Sequence, residues 1–77
     1  MRQFHIAMDS FGKVLAFVRL AMTQPFDVSV GNERQSINGK DLMGMFSLDY
    51  SRPVRVRADC PEEVFEAFRA IVESTIA

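Results

Sequence analysis

The spacing of apolar residues switches along this chain between a period of two and a period of three to four, and each switch predicts an element. Residues 2–8 alternate, with Phe4, Ile6 and Met8 pointing one way and Gln3, His5 and Ala7 the other, the period of a half-buried strand. Asp9 and Ser10 are good helix caps, so a helix is predicted to start near residue 11. Val14, Phe17, Val18 and Ala21 recur at i, i+3, i+4 and i+7 as its buried face, widened by Leu15 and Met22. Gln24-Pro25 ends it, because the residue before a proline is pushed out of the helical region.

Phe26–Val30 alternates again, Gly31-Asn32 is a turn signal and Arg34–Ile37 a weaker return strand, so the pair reads as a hairpin. Asn38-Gly39 closes it, since both residues tolerate the backbone angles of tight turns. Asp41 precedes the apolar run Leu42, Met43, Met45, Phe46 and Leu48. Its carboxylate is expected to accept from the unpaired N–H groups at the start of a helix over residues 41–48. So short a helix cannot bury all of these side chains on one stripe, and part of the run must face outward. Asp49–Pro53 is a polar connection. Val54, Val56 and Ala58 then alternate with Arg55 and Arg57, a fourth strand with one basic face. For the last helix, Asp59 or Cys60 is the cap and Pro61 the first residue, and Glu62 and Glu63 suit the positive end of the dipole. Its predicted buried stripe is Val64, Phe68, Ile71 and Val72. The order is β-α-β-β-α-β-α. Strands with one apolar face and three amphipathic helices predict an α+β fold of two layers, helices on one side of an antiparallel sheet and His5, Arg55 and Arg57 on the open side.

Length and charge narrow the role. The 77 residues are expected to form one domain, residues 1–77, with a small core. A hydrophobic content of 48% with nine basic and ten acidic residues describes an ordinary globule, and a net charge of −1 argues against a nucleic-acid binder. No apolar run is long enough for a membrane helix, and the N-terminus lacks the apolar core of a signal peptide. The single Cys60 cannot form an intrachain disulfide, which fits a reducing cytoplasm. Cys60 beside a helix N-terminus is a position where a thiol can become more acidic, but it has no partner base or second cysteine. No metal-ligand cluster, phosphate loop or nucleophile–base pair is visible, so no cofactor and no metal are expected.

This element order, with KDLMGMFSL at residues 40–48 and Phe17-Val18 in the first helix, resembles the phosphocarrier protein HPr of the bacterial sugar phosphotransferase system. The motif is similar to the Lys-Ser-Ile-Met-Gly-Val-Met-Ser-Leu of Gram-positive members, and no gap separates it from the first helix. The resemblance implies an open-faced sandwich with sheet order 1-4-2-3. It does not extend to the chemistry. The family carries its phosphoryl group on the histidine of a His-x-Arg-Pro motif. Here Ser10 stands at the histidine, Gly12 at the arginine and Lys13 at the proline, and Asp41 stands at the family's regulatory serine.

The resemblance makes Leu42, Met43 and Phe46 the candidate partner-binding residues, because the matching family positions dock other proteins. Methionine and aromatic side chains suit such surfaces. The alternative is that the run completes a small core, with Leu42, Met45 and Leu48 inward. Ser10 reads as a plain N-cap, His5 as a solvent-facing strand residue, and Asp41 as a cap that partly imitates phosphoserine. Arg52, Arg55 and Arg57, joined by Arg34 and Lys13, form a basic patch without the aromatics that RNA-binding sheets add. The expectation is therefore a non-catalytic protein-binding or regulatory module, its partners phosphotransferase components or a transcription regulator. The alternatives are a relative phosphorylated at Ser10 or His5, and a structural homodimer or partner subunit.

Overall fold

The computed structural model describes residues 2–76. It contains β1 (Arg2–Ile6), α1 (Phe11–Met22), β2 (Val28–Gly31), β3 (Ser36–Asn38), α2 (Leu42–Phe46), β4 (Val54–Ala58) and α3 (Glu62–Ile76). The strands form one antiparallel sheet in the expected order β1-β4-β2-β3. Register explains the core. Phe4 stands opposite Val56 and Ile6 opposite Val54, while Val30 stands opposite both Val56 and Ile37. Side chains alternate along a strand, so these residues share one face, and all but the half-buried Ile37 are buried.

The helices cover that face. α1 buries Val14, Phe17, Val18 and Ala21, the stripe its spacing predicts. Phe68 of α3 meets Phe17 edge-on at 6.3 Å and Phe26 at 5.5 Å, and Phe65 meets Phe4 at 5.8 Å. Edge-to-face rings place the positive rim of one against the negative face of another. Arg69 lies over the outer part of this cluster, its guanidinium carbon 5.6 Å from the Phe4 ring centre.

Several boundaries and faces differ from expectation. β1 stops at Ile6, although Met8 is still buried. Met22 and Val64 are exposed, as is Ile71; the buried stripe of α3 is Phe65, Phe68, Val72 and Ile76. The two stripes of α3 both have helical spacing and share Phe68 and Val72. The one with two phenylalanines buries more apolar area and reaches Phe4, so it faces the core. Pro61 stands just before α3, its carbonyl accepting from the Phe65 N–H at 2.9 Å. β2 starts at Val28, not Phe26, whose ring turns onto Phe68.

The hairpin is also displaced. Gly31 is the last residue of β2, and the turn spans residues 32–35. Asn32 builds it: its side-chain Oδ1 accepts from the Arg34 and Gln35 N–H groups, and its own N–H donates to the Gln35 carbonyl. An Asx side chain thus imitates a turn carbonyl, and the return strand becomes Ser36–Asn38. Among the described residues no glycine or other residue has positive φ. Gly39 is therefore needed for room, not for a special backbone angle: a Cβ there would lie 2.9 Å from Val28 Cγ1 and 3.3 Å from Phe17 Cε1. No helix among the described residues is long and apolar enough to cross a membrane.

Candidate functional site

α2 is set by its two ends. Asn38 Oδ1 accepts from the Lys40 N–H at 3.0 Å and the Asn38 carbonyl from the Asp41 N–H at 2.9 Å, turning the chain out of β3. Lys40 Nζ reaches back 2.8 Å to the Gln24 carbonyl, tying the entry of α2 to the segment after α1. At the far end Ser47 closes the helix, and the Tyr50 hydroxyl donates to the Met45 carbonyl. Partial burial pushes the Tyr50 phenol above its ordinary value of 10.0, so the proton that makes this bond is retained more firmly.

Asp41 occupies the N-cap position of α2, but its side chain makes no capping hydrogen bond, contrary to expectation. Its carboxylate lies beside Gly44, the third residue of the helix, without a hydrogen bond to the first-turn N–H groups. A Cβ on Gly44 would meet Asp41 Oδ2 and Ile37 Cγ2, each at 2.8 Å, so the missing side chain lets α2 lie close on β3. Ser10, with φ −146° and ψ 155°, does cap α1: its Oγ accepts from the Lys13 N–H at 3.2 Å. Ser10→Ala is accordingly expected to cost about 1 kcal/mol in urea denaturation. Asp41→Ala should cost less than about 0.5 kcal/mol, the usual limit for a surface change that breaks no bond.

The apolar run of α2 divides between core and solvent. Met45 and Leu48 are buried and Leu42 is half-buried against the core, whereas Met43 is 79% and Phe46 38% exposed. Phe46 is not alone. Phe11, 67% exposed at the start of α1, stacks on it with ring centres 4.7 Å apart and planes 12° from parallel. Sequence reasoning missed Phe11, whose partner lies on another element. By spacing Phe11 joins the stripe of Val14 and Val18, so periodicity carries no sign that its ring turns to α2.

Lys13 pairs with Asp9 at 3.0 Å, and that hydrogen bond holds the Asp9 carboxyl below its ordinary range. The Ser51 N–H, 2.9 Å from Asp49 Oδ1, does the same for Asp49, with added attraction from Arg52 and Arg34. The remaining candidates lie apart from the patch. His5 is exposed in mid-strand opposite Arg55, on the sheet face away from the helices. Arg57 shares that face and donates from Nε to Gln3 Oε1 at 3.1 Å. Burial pushes the Cys60 thiol up, outweighing the attraction of Arg2, so the helix start does not make it acidic. A shallow depression between α1 and α3, lined by Leu15, Ala16, Arg19 and Leu20 among others, contains Arg19 as its one ionisable group. Among the described residues no three His, Cys, Asp or Glu side chains gather as a metal site would require.

No family model matches this chain. No curated protein matches it either. Solved structures do. The chain is similar to the crystal structure of HPr-C-His from Thermoanaerobacter tengcongensis, with a TM-score of 0.76 and 24% identity over 99% of this chain and 96% of that one. It is similar also to the crystal structure of an HPr dimer from Thermoanaerobacter tengcongensis, with a TM-score of 0.67 and 23% identity over 100% of this chain and 99% of that one. The fold is HPr-like.

Proposed function

We propose that this chain is a non-catalytic, regulatory protein-binding module of the bacterial cytoplasm, derived from a phosphocarrier and docking partners through α2. The observation that carries the reading is the exposed group of Met43, Phe46 and Phe11, with Leu42 at its base, beside a helix start where Ser10 stands in place of a phosphohistidine. Phosphoryl transfer through an imidazole needs that ring free at a helix N-terminus, where dipole and N–H groups hold the phosphate. The sole histidine lies elsewhere, in mid-strand. What the helix start offers instead is a flat aromatic pair with a flexible thioether next to it, side chains suited to anchoring a protein surface. Phosphotransferase components are the first partners to try, because the fold is shared with a protein they handle.

The test uses phosphoenolpyruvate and enzyme I, with a working HPr as control. Intact mass should show no phosphoryl gain on this chain. Added in excess, the chain should slow phosphorylation of the control HPr. Replacing two central anchors worth about 1 kcal/mol or more each should weaken that competition by at least about 30-fold in Met43→Lys/Phe46→Glu. A phosphoryl gain on Ser10 or His5 would overturn the non-catalytic reading. Competition unchanged in the double variant would overturn docking through α2. A dimer on gel filtration that the same variant dissociates would assign the patch to a second copy.

A further inference from the structure

The second side of the molecule has its own chemistry. Register places Gln3, Arg57, Ser29 and Asn38 in one cross-strand row on the uncovered face of the sheet, and His5, Arg55, Gly31 and Ser36 in the next. None of these residues is acidic, and none is Phe, Tyr or Trp. Arg55 and Arg57 come from β4, which is paired on both edges, so their backbone is held from two sides. Neither guanidinium is in an ion pair; those among the described residues are Lys13–Asp9 and Arg69–Glu73. Four of the ten acidic residues, Glu62, Glu63, Glu66 and Glu73 of α3, are exposed on the helix side, and Asp27 lies at one end of the sheet face. A chain of net charge −1 thus presents a cationic sheet face by separating its charges, not by an excess of base.

From this placement we propose that the open sheet face binds an extended acidic segment of a partner protein. Arg55 and Arg57, two residues apart on one strand, are spaced by about 6.6 Å, which is also the repeat of same-face side chains in an extended peptide. Carboxylates at alternate positions therefore meet one guanidinium each, in the paired geometry arginine offers to a carboxylate. Gln3, Ser29 and Asn38 supply donors and acceptors to the peptide groups between them. Asp27, which lines the same shallow depression as Arg57, Ser29 and Asn38, repels a further carboxylate at that end and limits the register. Nucleic acid fits less well, because the face has no Phe, Tyr or Trp as a stacking platform and offers only the single imidazole of His5. This inference does not depend on α2, which lies on the opposite side of the sheet.

The probe is a fluorescein-labelled peptide with glutamate at alternate positions, titrated with the full chain and followed by anisotropy. Saturable binding is expected, weakened by added salt and reduced roughly tenfold in Arg55→Gln/Arg57→Gln, the loss of charge-assisted hydrogen bonds at an exposed site. Met43→Lys/Phe46→Glu should bind the peptide as the parent does. A peptide with the same glutamates in adjacent pairs should bind more weakly, as only alternate positions share a face. Absence of saturable binding, equal binding of a glutamine peptide, retention in a folded arginine double variant, or tighter binding of a thymidine oligonucleotide would each overturn the proposal. Far-ultraviolet circular dichroism of the arginine variant separates lost contacts from lost fold.

Discussion

Phe68→Ala is expected to remove most of the folding stability. The ring is 2% exposed and lies edge-on to Phe17 of α1 and to Phe26 in the segment before β2. Truncating it takes a contact from two parts of the chain at once and leaves a cavity that neither neighbouring ring can fill without leaving its own position. Such changes cost about 3–5 kcal/mol. At 0.05–0.15 kcal/mol per residue, a chain of this length has roughly 4–12 kcal/mol in total. Urea denaturation followed by circular dichroism should show either a midpoint moved far toward zero or no cooperative transition. Phe68→Leu, which keeps most of the volume, should lose less than half as much. A loss under about 1 kcal/mol for alanine would mean that the cluster repacks, and that the ring does not hold α3 to the sheet.

Gly31→Ala is the second large loss expected, from a single methyl group. A Cβ at this position would collide with the Gln35 carbonyl oxygen and lie 3.1 Å from Ser36 Cα. Both are backbone atoms. They cannot rotate aside, because the three bonds that Asn32 makes to residues 34 and 35 fix the turn. Relief requires the turn to open, and overpacking of this kind costs about 1–3 kcal/mol. Gly12→Ala is the contrast: nothing lies within 4 Å of a Cβ there, and the residue is inside α1. That change should stabilise by about 0.5–1 kcal/mol, the helix propensity difference between the two residues. Equal effects of the two substitutions in thermal melts would mean that the close approach at Gly31 is absorbed by a small backbone shift.

Local pattern made much of this fold legible. The alternation at Phe4, Ile6 and Met8 and at Val54, Val56 and Ala58 located the buried side of β1 and β4, and the i, i+3, i+4, i+7 set in α1 located its inner stripe. Proline and cap residues placed the helix ends within a residue or two. What escaped depends on partners distant in sequence. Val64 and Phe65 are both credible inward residues by spacing, and Phe4 across the core decides between them. Asp41 has the chemistry and the extended backbone of a cap yet makes no capping bond, and its carboxylate lies where α2 packs close on Ile37. In the candidate site, the apolar run of α2 announced a surplus, and Met43 with Phe46 is that surplus. Phe11 escaped because stacking between α1 and α2 leaves no periodic trace.

The strand order has a consequence in time. β1 finds its neighbour in β4, about two thirds of the chain later, and β2 also waits for β4 on its inner edge. Only the β2–β3 hairpin can pair from residues made close together. During synthesis, Phe4 and Ile6 therefore emerge long before the strand that will cover them, and the sheet has no centre until Val54–Ala58 leave the ribosome. Distant pairing of this kind slows folding, because loop closure precedes the contacts that repay it. α1 and the hairpin can form early and hold the apolar residues in a loose cluster, but the sheet closes as one event when the last strand slides between its two partners.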